Sequence, residues 1–385
     1  MTDLKDLKHL HGRAGTLAPG TAPPRTDGPG VDGKPGVDGK PGGDGRPGGG
    51  PTGDAKPGDG RADATAAARP GTPPRVDRRD PRYLALRNFA ISMTVFNILG
   101  YTVLGFEQPW TWPIFAVLLG YAVEISTEII SARALRRPVA FRGNGAWGLY
   151  TFLLPTHITA LAVNMLLYAN DNFWPIAFAV VVAVGQKAVL QAPIKGRMRH
   201  FMNPSNFGIT AALLAFAWVN IAPPYHFTEH VPDLISIVIP VIIVTAGTVL
   251  NAMLTKKVPL ILGWLGAFVI QALVRTWIWD VSLWAALAPM TGVAFVLFTN
   301  YMITDPGTTP ALGRWQFMFG ASVGMVYGVL MVFNVVYTLF FAVTIVCLLR
   351  GLFWWGRWLV DRRRKAAESL KPAPPPAAVA LPAAR

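Results

Sequence analysis

The sequence predicts an all-α polytopic membrane protein: about ten transmembrane helices, broken at two polar strings, behind a disordered N-terminal tail. Three observations lead there. From Tyr83 to Trp358 the chain is a series of apolar runs about twenty residues long, the length a bilayer requires. Residues 1–80 hold almost no large apolar side chains and bury too little surface to offset chain entropy. Two short polar strings, Asn203-Pro204-Ser205-Asn206-Phe207-Gly208 and Thr304-Asp305-Pro306-Gly307-Thr308-Thr309-Pro310, interrupt very apolar flanks.

Three regions follow: a Pro/Gly-rich tail over 1–80, a transmembrane domain over 81–358, and a basic, then Pro/Ala-rich disordered tail over 359–385. In the first tail Gly30, Gly33, Gly36, Gly39, Gly42, Gly45 and Gly48 recur every third residue, a short collagen-like repeat. A triple helix needs that period over a long run, and here it fails at Pro51, so a flexible spacer is the expectation. The first 80 residues lack an apolar core segment, so no cleavable signal peptide is expected.

The spans are expected near 84–105, 110–131, 146–168, 173–191, 206–221, 234–253, 258–275, 283–303, 316–333 and 335–353. The fifth is short for a full crossing. The last two leave room only for a tight turn near Phe333-Asn334. Basic residues recur at alternate loops: Arg75 to Arg87 before the first span, Arg133 to Arg142 after the second, Arg197 and Arg199 after the fourth, Lys256 and Lys257 after the sixth, Arg314 after the eighth, and Arg357 to Lys365 after the tenth. The loops between them are acidic or neutral, apart from Arg275 opposite Asp280. The positive-inside rule then puts both termini in the cytoplasm and the protein in the plasma membrane.

The formal charge of +14 does not point to nucleic acid. Its cations sit at span ends and in the tails, where they suit anionic lipid, and no nucleic-acid-binding fold accompanies them. The single cysteine, Cys347, excludes an intrachain disulfide and a Cys-ligated cluster built by one chain. No phosphate-cradling Walker loop or dinucleotide fingerprint occurs, so an ATP-driven or NAD-binding activity is not expected, and no catalytic nucleophile stands out. His226, Glu229 and His230 share an outer loop, but their spacing matches no strong metal pattern, and no metal is expected.

Intramembrane polar groups are functional-site candidates because burying them is costly without partners. Asn203, Pro204, Ser205, Asn206, Thr304, Asp305, Thr308 and Thr309 are the candidate cofactor-binding residues. Asn203 before a proline also reads as a helix cap, and Asp305-Pro306-Gly307 as turn chemistry. The proposed topology places both strings on one side of the bilayer, where they can line a common cavity. Glu124 and Glu128 share a helical face, and Lys187 lies at similar depth. A Glu–Lys pair would lower the cost of all three; a proton or cation path is the alternative. His157 and Asn164, seven residues apart, share a face of the third span.

These strings resemble the integral membrane flavoprotein subunits of redox-driven ion pumps: the B subunit of the sodium-translocating NADH:quinone reductase and the D subunit of the Rnf electron-transport complex. The resemblance covers roughly residues 85–350. It is carried by Asn203-Pro204 with Phe207-Gly208, by Thr304-Asp305-Pro306 with Thr309-Pro310 and Gly313-Arg314, and by Phe319-Gly320-Ala321-Ser322-Val323-Gly324. It implies a similar span count and electron transport. That family attaches FMN covalently to the Thr of a Ser/Thr-Gly-Ala-Thr string. No Gly-Ala-Thr occurs here, so covalent FMN is expected to be absent, leaving non-covalent FMN, riboflavin or quinone. The Asn-Pro-Ser-Asn-Phe-Gly-Ile string and Pro-Pro-Tyr-His-Phe-Thr-Glu resemble stand-alone relatives of the enediyne biosynthesis membrane type. The wider fold is similar to that of urea transporters. Two functions follow as expectations: a membrane oxidoreductase subunit with a flavin or quinone and a redox partner protein, or a transporter of a small polar metabolite through the same cavity.

Overall fold

The computed structural model describes residues 80–369, apart from 143–144, 195, 224–227 and 229. The collagen-like repeat, the tail beyond 369, and His226 and Glu229 of the outer loop lie outside the described residues.

Eleven α-helices follow in order among the described residues. They are α1 (Pro81–Thr102), α2 (Trp112–Ala134), α3 (Gly145–Leu166), α4 (Trp174–Val189), α5 (Pro204–Ala215), α6 (Asp233–Val249), α7 (Val258–Trp279), α8 (Leu283–Leu287), α9 (Val293–Leu297), α10 (Gly313–Val332) and α11 (Thr338–Ser369). Strands are minor. β1 (Leu167–Tyr168) pairs antiparallel with β4 (Asn220–Ile221), and β2 (Gln191–Ile194) with β3 (Arg197–His200) in a hairpin that joins α4 to α5. Gly196 turns that hairpin at φ +78°, a conformation that a Cβ disfavours.

Every predicted apolar segment contains helix, but the helices differ in length and apolarity, and α1, the expected first span, has 22 residues yet is not among those apolar enough to cross a membrane. Six are long and apolar enough to cross a membrane: α2, α3, α6 with its π-helical extension to Thr255, α7, α10 and α11. The segment near 283–303 is a bent pair, Leu283–Thr291 and Val293–Met302, meeting at 67°; counted as one span it makes seven. α4 has 16 residues and α5 only 12, about 18 Å of rise against roughly 30 Å of hydrocarbon. The chain is a helical, multi-pass membrane protein with six or seven membrane-capable helices. The last two helices are joined by a tight corner, with Asn334 and Tyr337 both at positive φ.

The closest packing is between α7 and α10. A Cβ at Gly320 would lie 2.1 Å from the Leu260 carbonyl oxygen, and one at Gly263 would lie 2.2 Å from that of Phe317. The missing side chains let the two backbones touch, the usual way to hold helices where lipid removes the hydrophobic drive. Beside this seam Trp264 is fully buried against Phe268, Phe298 and Tyr327, and its indole N–H donates to Thr299 Oγ1 at 3.0 Å. α1 and α3 pack differently. Thr94 meets His157, and Tyr101 meets Asn164, both across the same sequence offset of 63, so the two helices run parallel and in register. α11 is 32 residues long, about 48 Å, so its Arg357–Lys365 end projects beyond any bilayer-spanning part.

Candidate functional site

The first polar string is tied to the segment that leads into the second. Asn203 caps α5: its Oδ1 accepts from the Asn206 amide at 3.1 Å and from Ser205 Oγ at 3.2 Å. Pro204 follows at the first helical position, where a missing N–H costs nothing. The same Asn203 side chain donates through Nδ2 to the Met302 carbonyl at 2.8 Å. Met302 ends the π-helical segment Phe298–Met302, which leads directly into Thr304. One buried amide therefore ties the start of α5 to the approach of the second string. Gly208, the last residue of the first string, lets α5 settle on α4, since a Cβ there would meet Ala179 O at 2.4 Å.

Asn206 faces the other way. Its Nδ2 donates to Phe340 O at 2.9 Å and to Thr344 Oγ1 at 2.8 Å, both on α11, while Thr210 Oγ1 and Thr344 Oγ1 are 2.9 Å apart. Asn206 Oδ1 is buried without a hydrogen-bond partner among the described residues.

The second string is a self-bonded turn. Asp305 accepts from the Gly307 amide at 3.2 Å and from Thr308 Oγ1 at 2.7 Å, and its carbonyl accepts from Thr309 Oγ1 at 2.6 Å. Thr304 Oγ1 donates back to Asn300 O at 2.7 Å. Two cations hold the turn from outside. Lys257 Nζ donates to Pro310 O at 2.8 Å, and the Arg350 guanidinium donates to Thr308 O. Lys257 is only 4% exposed. Burial pushes its pKa down to about 8, against the opposing pull of Asp305 and with a further push from Arg350. His200, at the end of β3 and close to Gly307, is likewise lowered by burial, opposed by Asp305.

A small cleft lies beside Ser205 and Met302, with about 20 Å³ of enclosed space. Its wall is mostly apolar: Phe89 and Met93 of α1, Met165 of α3, and Tyr301 and Met302 of the bent segment. Ser205 alone of the eight string residues lines it. The common cavity expected between the strings is thus a greasy cleft with one string hydroxyl. The other string polar groups are spent mainly on caps, turns and helix docking.

Glu124 and Lys187 form the expected ion pair, with Thr156 Oγ1 donating to Glu124 at 2.9 Å and accepting from Lys187 at 3.1 Å. Glu128 does not join them, contrary to the expected three-way arrangement. One turn further along α2, it takes a bidentate grip from Arg137 at 2.5 and 2.8 Å and accepts from the Ala140 amide at 2.7 Å. Arg137 lies just past the end of α2, so the nearer cation wins; the pair raises the Arg137 pKa further.

The sequence reading put His157 and Asn164 on one face of the third span but missed their partners. His157 Nε2 lies 2.8 Å from Thr94 Oγ1, and Nδ1 lies 2.9 Å from Tyr121 OH. Asn164 Nδ2 donates to Tyr101 OH at 2.9 Å. Thr94, Asn97 and Tyr101 fall at i, i+3 and i+7 of α1, a polar stripe that spacing alone would have exposed.

The sequence matches no family model and no curated protein. Among the described residues no group of three or more His, Cys, Asp or Glu side chains is placed to hold a metal.

Proposed function

We propose that this chain is a membrane-embedded redox subunit that takes a quinone, or non-covalent FMN or riboflavin, in the cleft beside Ser205 and Tyr301 and supports electron transfer with a partner protein. The observation that supports this reading is the bridge from Asn203 to Met302, beside which the apolar cleft lies between the start of α5 and the end of the 298–302 segment. Irregular backbone at membrane depth is tolerated where it is buried in protein or lines a cavity. The wall suits a flat aromatic headgroup: the Phe89 and Tyr301 rings meet edge-on at 5.3 Å, and Ser205 Oγ, whose hydrogen goes to Asn203, can accept from the hydroxyl of a reduced headgroup. The enclosed space is small, about 20 Å³, so a quinone headgroup, smaller than a flavin, enters only as the lining side chains part. The resemblance of the two strings to redox-pump subunits supports the same chemistry, and the resemblance to the enediyne type supports a role in maturing a polyunsaturated natural product. Both termini lie on the cytoplasmic side of the plasma membrane in this reading, where the projecting end of α11 meets the partner.

The test is to purify the full chain in mild detergent, record its visible spectrum before and after reduction, and titrate it with a short-chain quinone while following tyrosine and tryptophan fluorescence. Saturable quenching that Ser205→Leu weakens supports the proposal. A colourless protein with no saturable response to quinone overturns it.

The bent pair at 67° and the buried Glu124–Lys187 pair favour a second reading, transport of a small polar metabolite, because discontinuous helices mark transporter sites. Solute flux into liposomes without any quinone response would favour it.

A further inference from the structure

We infer that side chains of α2, α3 and α1 form a proton path through the membrane, with His157 as its central relay. The groups make two stripes. On α2, Tyr121, Glu124 and Glu128 stand at i, i+3 and i+7; on α1, Thr94, Asn97 and Tyr101 repeat that spacing. Residues so spaced share one helical face, a turn apart. The stripes occupy successive depths. The α2 stripe runs from mid-helix to the end bearing Arg137, and the α1 stripe from mid-helix to the opposite end near Gln108. His157 joins them where they overlap, with one ring nitrogen on each.

The hydrogen bonds assign the tautomer. Thr94 Oγ1 donates its one hydrogen to Ala90 O at 2.9 Å, so toward His157 it accepts, and Nε2 carries the proton. In a neutral ring Nδ1 is then the acceptor, and Tyr121 OH donates to it. Tyr121 OH gives its proton to Nδ1 and is reprotonated from the Glu124 side, while the Nε2 proton passes to Thr94 Oγ1, whose own hydrogen turns from Ala90 O to the water beyond it; the imidazole is left neutral and inverted, and a ring flip restores it. No electron moves, and each N–H or O–H bond broken is matched by one formed. At the basic end Glu124, bonded to Thr156 beside His157 and paired with Lys187, is the carboxylate one turn from Tyr121. At the other end Asn164 donates to Tyr101, whose hydroxyl reaches Gln108 Oε1 at 3.4 Å, next to exposed Glu107.

An independent observation lies between these two ends. Thr94 and Tyr101 are two turns apart, about 10 Å. In that interval Asn97 Oδ1 and Asn164 Oδ1 are both buried without a hydrogen-bond partner among the described residues. Orphaned buried acceptors call for a donor, and a polar site with several acceptors is where a water is held. Water at Asn97 and Asn164 completes the route from Thr94 to Tyr101. The titratable groups facing the route are Glu124, Glu128 and Tyr121 from α2, His157 from α3, Lys187 from α4, Tyr101 from α1, and Arg137 beyond α2.

The experiment reconstitutes the full chain in liposomes containing a pH-sensitive dye and imposes a potassium diffusion potential. It uses no electron donor and no quinone, so its outcome is separate from that of quinone binding. The expected result is acidification or alkalinisation, set by the sign of the potential, above that of protein-free vesicles. His157→Phe returns the signal to the protein-free level. Thr94→Val, which removes one hydroxyl and keeps the shape, does the same and decides the matter if the histidine variant does not fold. Gln271→Leu, on α7, leaves the signal unchanged. Wild-type flux equal to that of empty vesicles overturns the inference, as does full flux in a folded Thr94→Val protein.

Discussion

Two regions of this molecule hold their helices together by opposite means. Along the α7–α10 seam, glycines bring backbone against backbone, and Gln271 is a buried polar residue among apolar neighbours. Along α1, α2 and α3 the contacts include a histidine, tyrosines, threonines, asparagines and an ion pair with α4. The seam demonstrates that this chain can join membrane helices by van der Waals contact. The polar groups of the other region bond helix to helix, and their cost in hydrocarbon makes them functional-site candidates as well.

Four substitutions break or sharpen that contrast. The largest effect is expected at Gly320→Val. The new side chain meets the Leu260 carbonyl and the Trp264 amide at once, and the two backbones must part, at about 3 kcal/mol or more. Gly266→Ala, on the same α7 but with nothing within 4 Å, should leave thermal unfolding in detergent unchanged or slightly raise its midpoint. Equal losses in the two would refute the seam. Next comes Glu124→Gln, which strands Lys187. With side chains 15% and 18% exposed, the loss should be about 2 kcal/mol, and Glu124→Gln with Lys187→Met should recover most of it. A double variant no better than the single one would argue that the pair is not what the site needs.

Asn203→Ala removes the cap of α5 and the bond to Met302, for about 1–2 kcal/mol. Hydrogen exchange should rise in both the first turn of α5 and the 298–304 segment; a rise confined to α5 would mean that the bridge carries no weight. The smallest effect is a slope. Lys257 has its folded pKa lowered from 10.5 to about 8, so between those values the unfolded chain binds more protons and stability rises with pH. Across pH 7.5–8.5 the gain should be under about 1 kcal/mol, and Lys257→Met should flatten it. An unchanged slope would place the titration elsewhere.

Much of this was legible in the sequence, for identifiable reasons. Asn203-Pro204 announced a capped helix start because those residue types suit the last non-helical and first helical positions. Apolar runs announced helices because nothing else satisfies the backbone in hydrocarbon. The crossing number was less legible, since a run such as 206–221 is largely apolar yet its helix, which starts at Pro204, has only 12 residues and ends at Ala215. Partner choice was hidden as well. Glu128 and Lys187 sit at similar depth, but Arg137 returns from the loop and takes Glu128 first. The bond from Asn203 to Met302 spans 99 positions and leaves no local trace. The stripe at Thr94, Asn97 and Tyr101 did leave one, obscured because each residue alone passes for an ordinary helix-surface side chain.

The long last helix deserves its mechanical due. Arg350 sits partway along a straight rod whose far end stands clear of the bilayer, and its guanidinium grips the backbone at Thr308. Higher up, Phe340 and Thr344 of the same rod hold Asn206. One helix thus fastens both polar strings, the first through Asn206 and the second through Thr308.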